Sequence, residues 1–128
     1  MADDKKERAM RFNNGKPELH YALTFGEALK GAARVGTFGA NKYSAYNYMK
    51  GATASQSIGC LLRHLLAWFE GEDSDPESQL NHLDHFVWNA MRLSTEMKGS
   101  DKDELDDRPH KVLRKEAPVT GILVKGQS

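Results

Sequence analysis

The chain has 128 residues, 39% of them hydrophobic, and its Lys+Arg and Asp+Glu counts balance at 18 each. One compact domain is the expectation, and the balance excludes the global basic field on which duplex nucleic-acid binding rests. Cys60 is the only cysteine, which excludes an intrachain disulfide framework and points to a buried thiol in a reducing compartment, the cytoplasm.

Residues Met1 to Arg11 are charge-rich and carry no apolar run of signal-peptide length. No later stretch approaches the roughly 20 apolar residues of a membrane span, so neither export nor insertion is expected. Residues 1–10 read as a flexible start, 11–98 as a helical domain and 99–128 as a charged linker and docking tail.

Asn13-Asn14-Gly15-Lys16-Pro17 concentrates turn formers, and Leu19, Tyr21 and Leu23 behind it suggest a short extended lead-in. From Phe25, the positions Phe25, Ala28, Leu29, Ala32 and Val35 recur at helical spacing, with Gly36 and Gly39 as stop signals. Asn41 to Gly51, with tyrosines at 43, 46 and 48, reads as a functional loop. The second helix is predicted to start near Thr53 or Ser55, both competent caps, and to bury Ile58, Leu61, Leu62, Leu65 and Phe69 before Gly71.

Glu72 to Glu77 forms a short acidic link in which Asp75 is expected to cap a third helix, with Pro76 at its first position. A short link makes the two helices antiparallel neighbours. The third helix is predicted to bury Leu80, Leu83, Val87, Ala90 and Met91, leaving His82, His85, Asn89, Arg92 and Glu96 as a polar stripe on another face. Beyond a charge-dense break, Val112-Leu113 and Val119 to Val124 suggest short strands or a docking arm. The fold class is therefore mainly α: an antiparallel helix hairpin, a preceding helix, and a short extended or β C-terminal tail.

The hairpin brings chemistry together. His64 lies seven positions before Gly71 and His85 seven after Ser78, so the two rings fall at similar depth when counted from the turn. Trp68, one turn beyond His64, would stand beside them, with Asn89 deeper and Glu77 nearer the mouth. These histidines equally suit core-edge positions satisfied by neighbours or water.

The carboxylates Glu72, Asp75 and Glu77 offer oxygen ligands for magnesium, and are also what a helix N-terminus favours. Lys42 with Tyr43, Asn47 and Tyr48 combines a phosphate cation, amides and flat rings, a nucleotide-recognition set. Arg11 and Lys16 flank the Asn13 turn, which can hold a phosphate although it lacks the full Walker spacing.

Taken in order, Arg11 to Pro17, Gly39 to Tyr43, Asn47-Tyr48, Arg63-His64 with Trp68, Gly71-Glu72 with Asp75, Glu77 and Ser78, and His82, His85 and Asn89 make a pattern. It resembles the phage-associated dATP/dGTP diphosphohydrolase N-terminal domain family over roughly residues 11 to 93. The resemblance implies a phage protein that cuts purine deoxynucleoside triphosphates to monophosphate and pyrophosphate. In size and helical make-up the chain is also similar to MazG-like pyrophosphohydrolases, but their Glu-x-x-Glu and Glu-x-x-Asp magnesium layout is missing: the second helix has no carboxylate before Glu70.

Three functions stay open at this level. The first is a magnesium-dependent hydrolase with Glu72, Asp75 and Glu77 on the metal, Lys16, Lys42 and Arg63 on phosphates, and His64 or His85 orienting water. The second is a non-catalytic sponge in which the histidines, tyrosines and Asn89 sequester a nucleotide-derived host-defence signal. The third is a helical assembly module. A homo-oligomer is expected under each, because three modest helices bury little area alone and Trp68, Phe86 and Trp88 cannot share one small core.

Overall fold

The computed structural model describes residues 6–116, and among these it has helices and no strand. In chain order they are α1 (His20–Leu23), α2 (Gly26–Lys42), a 3-10 turn (Asn47–Lys50), α3 (Ala54–Phe69), α4 (His82–Glu96), α5 (Lys102–Leu105) and α6 (Pro109–Glu116). Helices α3 and α4 form the hairpin: Ser57 meets Arg92 at one end while His64 meets His85 at the other, so the two run antiparallel.

The start of α3 follows from local chemistry. Thr53 caps it in a reciprocal box, its hydroxyl accepting from the Gln56 N–H while the Gln56 side chain accepts from the Thr53 N–H. Asp107 adds a negative charge there, accepting from the Ser55 N–H at 2.8 Å and from the Ser55 hydroxyl. Part of the stretch expected as a charged linker therefore returns to the hairpin, where Arg108 also grips the buried Asp106 and holds its carboxyl down at about 2.

Several expectations are corrected. Helix α2 runs through Gly36 and Gly39 to Lys42 rather than stopping at them, and Asn41-Lys42 belongs to its last turn instead of a loop. The extended lead-in is instead α1. Helix α4 begins at His82, not Pro76, because Asn81 caps it by accepting from the Leu83 N–H. Asp75 turns back instead, its carboxylate accepting from the Ser78 N–H at 2.8 Å, and the link closes on itself through the Ser74–Asn81 bridge. Val112 and Leu113 are helical in α6, while Val119 to Val124 lie outside the described residues.

The largest correction concerns the faces of α4. Its buried residues are His82, His85 and Asn89, whereas Leu83, Val87 and Ala90 are only partly covered and Met91 is exposed. Among the described residues the buried apolar core consists of Ala32, Val35, Ala54 and Leu61. On α3, the predicted core positions Ile58, Leu62 and Phe69 lie open to solvent, Leu62 at 51% and Phe69 at 80% of full exposure.

The polar face stays buried because it satisfies itself. Arg92 donates to both Glu96 carboxylate oxygens at 3.1 and 2.9 Å, to the Ser57 hydroxyl at 2.8 Å and to the Asn89 carbonyl at 3.2 Å. Asn89 in turn donates to the His85 carbonyl at 2.8 Å. Among the described residues no buried side-chain nitrogen or oxygen lacks a partner, which is the condition for a polar interior.

Glycines let α2 approach α4. A Cβ at Gly36 would sit 2.9 Å from the Trp88 ring, whereas one at Gly39 would meet nothing within 4 Å. Alanine gains about 1 kcal/mol over glycine in a helix, and overpacking costs roughly 1–3 kcal/mol. Gly36→Ala is therefore expected to lower the melting temperature and Gly39→Ala to raise it, in paired thermal denaturations. Shifts of the same sign at both positions would remove the packing role assigned to Gly36.

Candidate functional site

A cleft of about 600 Å³ opens where the C-terminal end of α2 and the 3-10 turn meet the α3–α4 hairpin. That size suits a small-molecule ligand. Its walls come from four segments: Lys42 and Tyr43 from the end of α2, Asn47 and Tyr48 from the 3-10 turn, Asp75 and Glu77 from the link, and His64, His85 and Asn89 from the hairpin. Nine of the residues singled out in the sequence meet there.

Two imidazoles, His64 and His85, form the floor, and a third, His82, lies behind them. His64 and His85 stack almost parallel, with centroids 4.3 Å apart and ring planes 5° from each other. His64 and His82 face each other through their Nδ1 atoms at 2.9 Å. The remaining nitrogen of His82 lies 2.7 Å from Glu72, and Nε2 of His85 lies 2.6 Å from the Ser78 hydroxyl. His82, 3% exposed, is thus a buried link between the cleft floor and an outer carboxylate.

Burial, then the neighbouring imidazoles and Arg63, pushes the His64 pKa below the ordinary 6.5, against the opposing pull of Asp75. Burial does the same to His85, with Asp75 and nearby acids opposing and His82 assisting. Burial would raise Asp75, yet the Ser78 N–H and hydroxyl hold it below its ordinary value. At neutral pH the floor therefore offers two neutral imidazoles beside a carboxylate.

The sign of the pH effect follows. Below 6.5 the unfolded chain binds protons at positions 64 and 85 that the folded chain resists, so stability present above 6.5 is lost as the pH falls toward the lowered folded pKa values. Melting temperature is expected to fall between pH 7.5 and pH 5.5, and the drop to shrink in the His64→Gln/His85→Gln double variant. An equal drop in that variant would place the acid sensitivity elsewhere.

Lys42 bridges to Glu77 at 2.8 Å, which raises the lysine pKa, and its ammonium stands 5.3 Å from the Tyr43 ring. Tyr48 and Trp88 meet edge to face with centroids 4.9 Å apart. Trp88 lines the cleft. Sequence reasoning named Trp68 instead, which is half-exposed and does not line the cleft. The overlooked signal was helical: Trp88 follows His85 by three positions, on the side of the His82/His85/Asn89 stripe.

Other candidates stand apart. Arg11, Asn13 and Lys16 are exposed in the lead-in, where Gly15 makes the expected turn, and they do not line the cleft. Arg63 points along α3 toward Gly59. The three carboxylates offered for magnesium diverge: Glu72 goes to His82, Glu77 to Lys42, and Asp75 to Ser78. Asp75 instead shares a group with His64 and His82, whose ligand atoms all lie within 4.8 Å of one another.

Among the described residues no helix is long and apolar enough to cross a membrane. A sequence-family model described as dATP/dGTP diphosphohydrolase, N-terminal, matches residues 6–108. No curated protein and no solved structure matches the chain.

Proposed function

The chain belongs to the dATP/dGTP diphosphohydrolase N-terminal family, and from that premise we propose that it hydrolyses purine deoxynucleoside triphosphates to the monophosphate and pyrophosphate. The observation that carries this reading is the cleft itself, whose lining brings together the Lys42 ammonium, the Tyr48–Trp88 ring pair and the neutral His64–His85 stack. The base stacks at the ring pair, and the phosphates run toward Lys42. Water attacks the α-phosphorus, the bond to the α,β-bridging oxygen breaks, and His85 takes the water's proton. Arg11, Asn13, Lys16, Arg63 and Trp68 do not line the cleft and are assigned no part in this step.

Charge on the leaving pyrophosphate needs a cation. Magnesium, the cofactor expected from the sequence, would supply that charge when bound with the substrate; Glu72 and Glu77, two of the carboxylates offered for it, are engaged with His82 and Lys42. The proposed setting is the host cytoplasm during phage infection. The test is incubation with each of the four deoxynucleoside triphosphates and a divalent cation, followed by product chromatography. Monophosphate and pyrophosphate from dATP and dGTP are expected. No monophosphate under any cation would end the hydrolase reading, and intact nucleotide recovered from the denatured protein would then establish the sequestering one.

The proposed assembly is a homo-oligomer. Ile58, Leu62, Leu66 and Phe69 recur at helical spacing on the outer side of α3 and are all exposed, while the buried apolar side chains among the described residues are Ala32, Val35, Ala54 and Leu61. A second copy is the covering partner. Light scattering on the eluted protein is expected to give at least twice the chain mass, and Leu62→Glu/Leu66→Glu to give one chain mass; a monomeric wild type would overturn the assembly.

A further inference from the structure

We propose that His64, Asp75 and His82 form a resident site for a divalent first-row transition-metal ion, distinct in kind from a magnesium site. Three side chains from three segments converge: His64 from the middle of α3, Asp75 from the link, and His82 from the first turn of α4. Their ligand atoms lie within 4.8 Å of one another. The chain brings two imidazole nitrogens to 2.9 Å with both Nδ1 atoms inward.

The surroundings orient the three donors for an ion. Glu72 lies 2.7 Å from Nε2 of His82; a carboxylate there keeps the proton on that nitrogen and leaves the Nδ1 lone pair for an ion, the usual outer support of a metal-bound histidine. The parallel His85 ring fixes the plane of His64, whose Nδ1 proton, shared with His82 at 2.9 Å, leaves to solvent when the ion binds. The Ser78 N–H, donating to Oδ2 at 2.8 Å, holds the Asp75 carboxylate in place.

Donor chemistry selects the metal. Two imidazoles and one carboxylate suit manganese, iron, cobalt, nickel or zinc, whereas magnesium takes oxygen donors and keeps its water. Nitrogens 2.9 Å apart, each about 2.0–2.1 Å from a shared ion, subtend close to a right angle there. That is the angle of a six-coordinate ion; a tetrahedral zinc site would require the two rings to part by a few tenths of an ångström. His64 and Asp75 also line the cleft, so the ion's open positions face the phosphate end. The last point rests on the proposed hydrolase reading; the ion site does not.

The test titrates the metal-free full chain with cobalt(II), read by calorimetry and visible absorption, then challenges with manganese, zinc and magnesium. One cobalt per chain is expected, with the weak absorption of a six-coordinate ion, displaced by zinc or manganese and not by a large excess of magnesium. Asp75→Ala is expected to weaken binding by more than about 100-fold, and Glu72→Gln by about 10- to 100-fold. Both positions lie outside the helices, so circular dichroism can verify that each variant retains its fold, whereas His82→Gln in the buried interface risks unfolding. No saturable cobalt binding, binding unchanged in Asp75→Ala, or displacement by magnesium at equal concentration would overturn the site. Cobalt binding lost in these variants, in a protein that cleaves no triphosphate, would keep the site and end the hydrolase reading; hydrolysis with magnesium and no cobalt binding would do the reverse.

Discussion

His85→Gln is expected to lower kcat for monophosphate release from dATP by about 100-fold or more, the scale of a lost general base. His85 is the suitable proton acceptor because burial keeps it neutral, it lines the cleft, and Ser78 holds its ring at 2.6 Å. Glutamine retains a polar partner for the Ser78 hydroxyl, so the fold is expected to survive, with a melting temperature within a few degrees of wild type. The rate of the variant should also lose the acid limb of the wild-type pH profile. A loss below about tenfold, or an unchanged profile, would leave His85 as a positioning plate for His64 and move proton acceptance elsewhere.

Arg92→Met is expected to produce the largest loss of stability, about 3–5 kcal/mol, the usual cost of stranding one partner of a buried ion pair. The Arg92 and Glu96 side chains are only 13% and 12% exposed. Removing the guanidinium leaves Glu96 charged without a partner, and the Ser57 hydroxyl and the Asn89 carbonyl lose a donor. Ser57 is completely buried, so water cannot replace that donor there. Thermal melts should show a drop of more than about 10 °C. Arg92→Met combined with Glu96→Leu should recover much of it, since an apolar pair of similar volume removes the stranded charge. A single variant costing under about 1 kcal/mol would mean that the polar interior is held by something other than this network.

The same network explains where sequence reading failed. Periodicity shows that α4 has an apolar and a polar face, but it does not say which face meets a neighbour. The ordinary rule that apolar residues are buried points Leu83, Val87 and Met91 inward. The rule fails here because His82, His85, Asn89, Arg92 and Glu96 find their partners in Ser57, His64, Glu72, Ser78 and one another, and a satisfied polar group loses most of its penalty for burial. The exposed Leu62 and Phe69 are the counterpart of that choice, and a second copy of the chain is the partner we propose for them.

Local signals were ambiguous wherever two residues could do the same work. Asp75 and Asn81 are both competent N-caps; pairing of His82 with His64 and Glu72 requires the helix to start at the later one. Gly36 reads as a stop in isolation, and only the Trp88 ring lying against it reveals a packing position inside a continuous helix.

The sequence by itself determined the helical class, the antiparallel hairpin, the Thr53 start of α3, and the common depth of His64 and His85, because apolar spacing, capping chemistry and helical rise are properties of neighbouring residues. Tertiary structure alone decided which face of α4 is interior, that Trp88 and not Trp68 enters the cleft, and that Asp75 joins two imidazoles while Glu72 and Glu77 turn to His82 and Lys42. Those outcomes depend on distances between segments far apart in the chain, and no local preference encodes them.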